Sequence, residues 1–195
     1  EALGVRIDLG AEQVQKCLEE VGIGFMFAPN FHPAMKYASA PRREIGIRTV
    51  FNILGPLTNP ARAKAQVLGV ADGSLTMKMA QVLKLLGSSH ALVVHGEDGL
   101  DEITLGGRTT VCELKEGIIK SYPLTPEELG FRRAGRESLR GGSAKDNAEL
   151  LRRVLEGEKG PRRDIVLMNA AAALVAGDRA ENLKQGIQIA TEAIN

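Results

Sequence analysis

In "VVHGEDGLDEIT", residues 93–104, Asp101 and Glu102 stand side by side, shortly after Gly96 and Gly99. Two adjacent carboxylates on a turn offer hard oxygen ligands. The cation that suits them is Mg²⁺, which shares its shell with substrate phosphates and water. A solvated acidic turn is the other reading of the same pair. Position brings the two readings nearer to even: the apolar run ending at His95 reads as a strand, and ligands of open parallel sheets collect beyond the carboxyl ends of the strands.

A second group lies in "FHPAMKYASAPRREIGIRTVFNILGPLTNP", residues 31–60. It gathers His32, Lys36, Arg42, Arg43 and Arg48, then gives way to an uncharged stretch with Gly55-Pro56 and Asn59-Pro60. A guanidinium binds a carboxylate through a planar two-pronged contact that lysine cannot copy, so Arg42 is a candidate grip on an anionic small molecule. An exposed helical arginine beside Arg43 and Glu44 is the alternative. His32 and His95 lack metal-ligand spacing, and a lone histidine near an apolar strand is more often structural. "LRGGSAKDN", 139–147, puts glycine before a helix start, where an anion can bind, but lacks a full phosphate-loop pattern. Arg132, Arg133, Arg136 and Arg140 are offset by Glu127, Glu128 and Glu137 and read as solvated surface.

The elements that must position these residues follow from periodicity. "AEQVQKCLEEV", 11–21, places Val14, Cys17, Leu18 and Val21 on one helical face. "GIGFMFA", 22–28, is a short apolar run between breakers and predicts a buried strand. "KAQVLGVAD", 64–72, then "SLTMKMAQVLKLLG", 74–87, then "HALVVHG", 90–96, spell strand, helix, strand, with Gly87 as the helix stop. "TTVCELKEGIIKSYPL", 109–124, predicts two strands around Lys115-Glu116-Gly117. Residues 125–142 read as an excursion. Ser143 with Asp146 is a capping-box pattern, Pro161 suits a first helical turn, and Asp178 with Glu181 predicts the start of a last helix. The fold class is α/β, with a mostly parallel central sheet flanked by helices and an antiparallel edge hairpin.

Bulk properties narrow the function. A chain of 195 residues with net charge +1 has no electrostatic bias toward nucleic acid or an anionic membrane. Aromatic residues are only 4%, with no tryptophan, so stacking platforms for single strands are scarce. Cys17 and Cys112 lie far apart without metal spacing and read as reduced thiols of a cytoplasmic protein. No apolar run approaches the ~18 residues of a membrane span.

Three segments together carry a family resemblance. "HPAMKYASAPRREIGIRTVFNILGPLTNPA", "VVHGEDGLDE" and "LMNAAAAL" closely resemble the anthranilate phosphoribosyltransferases, along essentially the whole chain. The resemblance implies transfer of a phosphoribosyl group from phosphoribosyl pyrophosphate to the amine of anthranilate, in tryptophan biosynthesis. It implies that Arg42 grips the anthranilate carboxylate, that His32 and the Gly55-Pro56 turn lie near the substrate, and that Asp101 and Glu102 bind Mg²⁺. No nucleophilic side chain or strong general base is expected. The family's glycine-rich donor loop and amino-terminal helical domain have no counterpart in residues 1–195. These residues are therefore expected to be the acceptor- and metal-binding part of an incomplete α/β domain of the nucleoside phosphorylase and phosphoribosyltransferase type. The complete enzyme is expected to be a homodimer, and the 195 residues alone to be inactive.

Two other functions fit the same fold. A class II nucleoside phosphorylase is disfavoured by the context of Arg42 and by the Gly-Leu-Asp-Glu loop. A nucleic-acid-binding homologue is disfavoured by the near-neutral charge and the acidic pair.

Overall fold

The computed structural model describes residues 1–32, 44 and 51–195. Two compact units divide the chain, Glu1–Arg62 and Ala63–Asn195.

In the first unit, helix α1 spans Ala11–Glu20 and buries Val14. Gly10 precedes it, with the Gln13 side chain accepting from the Gly10 N–H at 3.1 Å. The predicted strand over 22–28 is not formed: residues 22–27 are irregular, and Ala28–Phe31 begins a one-turn helix, α2. Ile23 is 72% exposed and Phe25 is 55% exposed. The run has no strand to pair with among the described residues. It meets α1 where the Gly22 N–H donates to the Cys17 carbonyl at 3.1 Å and where Gly24 comes against Val14 and Leu18. Helix α3, Phe51–Leu57, carries Pro56 inside it.

The second unit is built on one sheet. Among the described residues four strands lie in the order β1 (Ala65–Gly69), β2 (His90–Gly96), β3 (Thr109–Lys115), β4 (Ile118–Leu124). Strands β1 and β2 are parallel, joined through helix α4, Thr76–Leu85. This is the crossover that the sequence predicts, and Gly87 ends it with φ +80°. The other two pairings are antiparallel, so the sheet is mixed, with one parallel pairing of three. The edge hairpin falls where the sequence puts it. Its two-residue loop, Glu116-Gly117, has positive φ at both positions (49° and 78°), as a type I′ turn needs to follow the strand twist.

Strand β2 is apolar on both faces because both faces are covered. Leu92 and Val94 lie in one core with Val111 of β3, Ile103, Leu105, and Met168, Ala172 and Val175 of helix α6, Pro161–Ala176. The alternate residues, Ala91 and Val93, with Cys112 and Leu114 beside them in register, are equally buried on the other face. Helix α4 packs there with Met79, Ala80 and Leu83. A helix α5, Ala144–Leu155, starts at the predicted capping box, with Ser143 and Asp146 satisfying each other's backbone N–H groups. Pro161 is in the first turn of α6, as predicted.

The last helix, α7, spans Leu183–Ile194 and is capped by Asn182, whose side chain accepts from the Gln185 N–H. Asp178 therefore does not open it. Its backbone is left-handed, φ 52°, and its carboxylate lies 3.3 Å from His90 Nδ1. His90, at the start of β2, is 2% exposed, and its Nε2 lies 3.0 Å from Glu113. The Tyr122 hydroxyl donates to the same Glu113 carboxylate at 3.0 Å. Burial, then the adjacent Glu113 charge, pushes the Tyr122 phenol well above its usual range.

Candidate active site

Strand β2 ends at Gly96 and β3 begins opposite it at Thr109. The chain between them forms the loop that carries Asp101 and Glu102, at the carboxyl end of the 90–96 strand as the sequence predicts. Both acidic residues are exposed, and the three residues that follow are not: Ile103, Thr104 and Leu105 are 1%, 0% and 0% exposed. The pair is thus held at the rim by a plug that enters the core directly behind it.

The loop is cross-braced by its own polar groups. The Gly96 N–H donates to the Leu100 carbonyl and the Glu97 N–H to the Arg108 carbonyl, both at 2.8 Å. The Thr104 hydroxyl donates to Asp98 Oδ2 at 2.6 Å and accepts from the Gly106 N–H at 2.9 Å. The Thr104 N–H donates to the Thr109 hydroxyl at 3.0 Å. Arg136 reaches across from the 125–142 excursion to the Asp98 carbonyl at 3.1 Å. Asp98 is thereby occupied as a loop brace, and the exposed acids of "EDGLDE" are Glu97 and the adjacent pair Asp101 and Glu102.

Neighbouring elements fix the same loop from two sides. At the end of β1, a Cβ on Gly69 would occupy the place of the Asp101 carbonyl, so only glycine lets the backbones approach this closely. From α6, the Asn169 side chain pairs with the backbone of Ile103. Neither residue figures as a site candidate in the sequence. Signals for both are present in it, a glycine inside a strand pattern and a carboxamide inside the apolar run "DIVLMNAAAALVAG".

The Glu102 carboxyl is held above its ordinary value of 4.5, first by partial desolvation and then by the like charge of Asp101. A cation between the two would relieve that repulsion, and two oxygen-donor residues at the rim of a loop fit Mg²⁺. Among the described residues, no cluster of three or more His, Cys, Asp or Glu could hold a metal. Two carboxylates alone would make only part of a coordination shell, which an ion arriving with a phosphorylated ligand would complete from that ligand and water.

The other candidates lie in the first unit. Arg42 is outside the described residues. His32 caps α2 at its carboxyl end, its N–H donating to the Ala28 carbonyl at 2.9 Å. Gly55 and Pro56 are exposed within α3 rather than in a turn; the chain turns after them, where Thr58 donates to the Gly55 carbonyl from both N–H and hydroxyl at 3.1 Å. His95 lies on β2 with Nδ1 2.8 Å from the Val70 carbonyl and its ring over Gly73, which is the structural role. Cys17 and Cys112 are free thiols. No helix among the described residues is long and apolar enough to cross a membrane.

A sequence model of the glycosyl transferase family a/b domain matches residues 1–195, and the chain belongs to that family. Its similarity to individual members is high. The whole chain is 52% identical to an anthranilate phosphoribosyltransferase of Symbiobacterium thermophilum, of which it covers 57%. The crystal structure of anthranilate phosphoribosyltransferase from Thermus thermophilus matches 99% of this chain with TM-score 0.92 and 48% identity, over 57% of that enzyme. The enzyme of Saccharomyces cerevisiae in complex with PRPP and Mg matches 99% of the chain with TM-score 0.89 and 32% identity, over 56% of its length. The chain thus spans a little over half the length of the relatives it matches.

Proposed function

We propose that these residues are the acceptor- and metal-binding part of an anthranilate phosphoribosyltransferase. The observation that carries this reading is the braced, outward-facing Asp101–Glu102 pair at the end of β2, in a chain similar to such enzymes along its whole length. In the complete enzyme, the amine of anthranilate attacks C1 of phosphoribosyl pyrophosphate. A carbon–nitrogen bond forms, the bond to pyrophosphate breaks, and the amine loses a proton. Glycosyl transfer of this kind depends on positioning and on charge neutralisation. Asp101 and Glu102 would hold Mg²⁺, which offsets the negative charge of pyrophosphate when bound. Arg42 takes the anthranilate carboxylate in a bidentate grip, and His32 with Gly55-Pro56 lines the acceptor side. No side chain acts as a nucleophile.

Residues 1–195 alone are catalytically silent on this reading, because the glycine-rich donor cradle is not among them. The enzyme works in the cytoplasm as a homodimer. The test is the Mg²⁺ dependence of turnover in a complete enzyme that contains this sequence. Asp101→Asn and Glu102→Gln each raise the Mg²⁺ concentration needed for half-maximal rate. Wild-type turnover at limiting Mg²⁺ in either variant removes that residue from the site.

A further inference from the structure

Asn169 sits in the middle of α6, between Met168 and the buried Ala171 and Ala172. A carboxamide in such surroundings must be hydrogen-bonded or it destabilises the fold. Here backbone groups satisfy it. Oδ1 accepts from the Ile103 N–H at 3.0 Å. Nδ2 donates to the Ile103 carbonyl at 3.0 Å and to the Ile165 carbonyl, one turn back on its own helix, at 3.0 Å. The side chain thus pairs with one residue in both directions, as a neighbouring strand would, and that residue directly follows Glu102.

We propose that Asn169 is a positioning residue for the Asp101–Glu102 carboxylate pair. The proposal rests on the reading of that pair as Mg²⁺ ligands. Apolar burial of the Ile103 side chain fixes where this residue lies but not how its peptide planes are turned. Two hydrogen bonds to its N–H and its carbonyl set both planes, and the Glu102–Ile103 plane sets the direction in which Glu102 leaves the backbone. Gly69, against the Asp101 carbonyl, fixes the preceding peptide from the β1 side. The pair is therefore held at two successive peptides, by a glycine at the one that joins Asp101 to Glu102 and by a carboxamide at the residue after it. Groups that orient metal ligands in this way generally change metal affinity about 10–100-fold when removed.

The test uses a complete enzyme containing this sequence, with Asn169→Ala and the near-isosteric Asn169→Leu, which keeps the packing and loses the hydrogen bonds. Three quantities are read: the Mg²⁺ concentration for half-maximal rate, Mg²⁺ binding with phosphoribosyl pyrophosphate by calorimetry, and hydrogen exchange of the Ile103 amide. Both variants are expected to need about 10-fold more Mg²⁺ or beyond, to bind it correspondingly more weakly, to lose protection at Ile103, and to keep the anthranilate KM. If Asn169→Ala does not fold, Asn169→Leu decides alone. Wild-type Mg²⁺ dependence in Asn169→Leu overturns the positioning role. Glu102→Gln, run in parallel, separates the two readings. A shift in Glu102→Gln without one in Asn169→Leu sinks the positioning role only, and no shift in either sinks the metal reading with it.

Discussion

"GIGFMFA" at 22–28 and "HALVVHG" at 90–96 are similar apolar heptapeptides with opposite outcomes. The second is a central strand, hydrogen-bonded to β1 on one side and β3 on the other, with Leu92 and Val93 fully buried. The first is irregular and leaves Ile23 and Phe25 largely exposed, with little more than the stacked rings of Phe25 and Phe27, 6.4 Å apart. Apolar composition states a capacity for burial; backbone pairing decides whether it is used. The same contrast separates the proposed site residues. The proposed metal pair, Asp101 and Glu102, stands on the paired, cross-braced unit. His32, Gly55 and Pro56 stand on one- and two-turn helices in the other.

The largest expected effect tests the paired unit. Leu92→Ala removes a fully buried side chain from the α6 face of the sheet and should cost about 2–5 kcal/mol of stability, read by urea unfolding. A loss like that of a surface change would mean β2 is not the centre of the core. Arg42→Lys, in a complete enzyme, should raise the anthranilate KM by the equivalent of roughly 1.5–3 kcal/mol, with the Mg²⁺ dependence unchanged. An unaltered anthranilate KM would return Arg42 to the surface. Gly69→Ala pushes a methyl group into the Asp101 carbonyl, so the loop must move. Overpacking of this kind costs on the order of 1–3 kcal/mol, and a higher Mg²⁺ requirement should accompany it.

A titration sharpens the picture of the acid pair. In the folded chain Glu102 holds its proton above the ordinary value of 4.5. Its contribution to stability is therefore fully present below that value and is lost as pH rises through the raised one. Metal binding runs the other way, weakening as pH falls through the same window. Carboxyl NMR should place the Glu102 midpoint above 4.5 and should move it down in Asp101→Asn. A midpoint insensitive to Asp101 would show that the two charges do not face each other. The smallest effect belongs to the unpaired run: Ile23→Ser should change the unfolding free energy of the 195-residue chain by less than about 0.5 kcal/mol.

Much of the second unit was legible in the sequence, because its signals are local. Strand β2 and both hairpin strands fall on the predicted residues, since β-branched runs, a Glu-Gly turn and the Ser143–Asp146 box each act over a few positions. The acid pair was legible for the same reason, as a strand followed by glycine and acid. What was not legible depends on partners distant in sequence. Residues 22–28 look like a strand, and nothing local says that no partner strand lies beside them among the described residues. Asp178 and Asn182 both suit a helix start, and only the buried His90, 88 residues away, decides that Asp178 is used elsewhere. Pro56 reads as a turn residue, yet α3 runs on to Leu57, one residue past it. Asn169 and Gly69 matter through contacts with Ile103 and Asp101, far from them along the chain, which no spacing rule reveals.

The outer strand β4 has a consequence for how the molecule behaves in crowded solution. A strand at the margin of a sheet exposes a row of free peptide groups, and a second polypeptide can add to it as to a template. Here the margin carries Pro123, which has no N–H to offer, and the exposed Lys120, whose charge would be buried by any incoming strand. The tight turn at Glu116-Gly117 adds local twist that a flat neighbour cannot follow. These features disfavour sheet growth beyond β4, so slow fibril-like association of the purified chain would have to begin somewhere other than this hairpin.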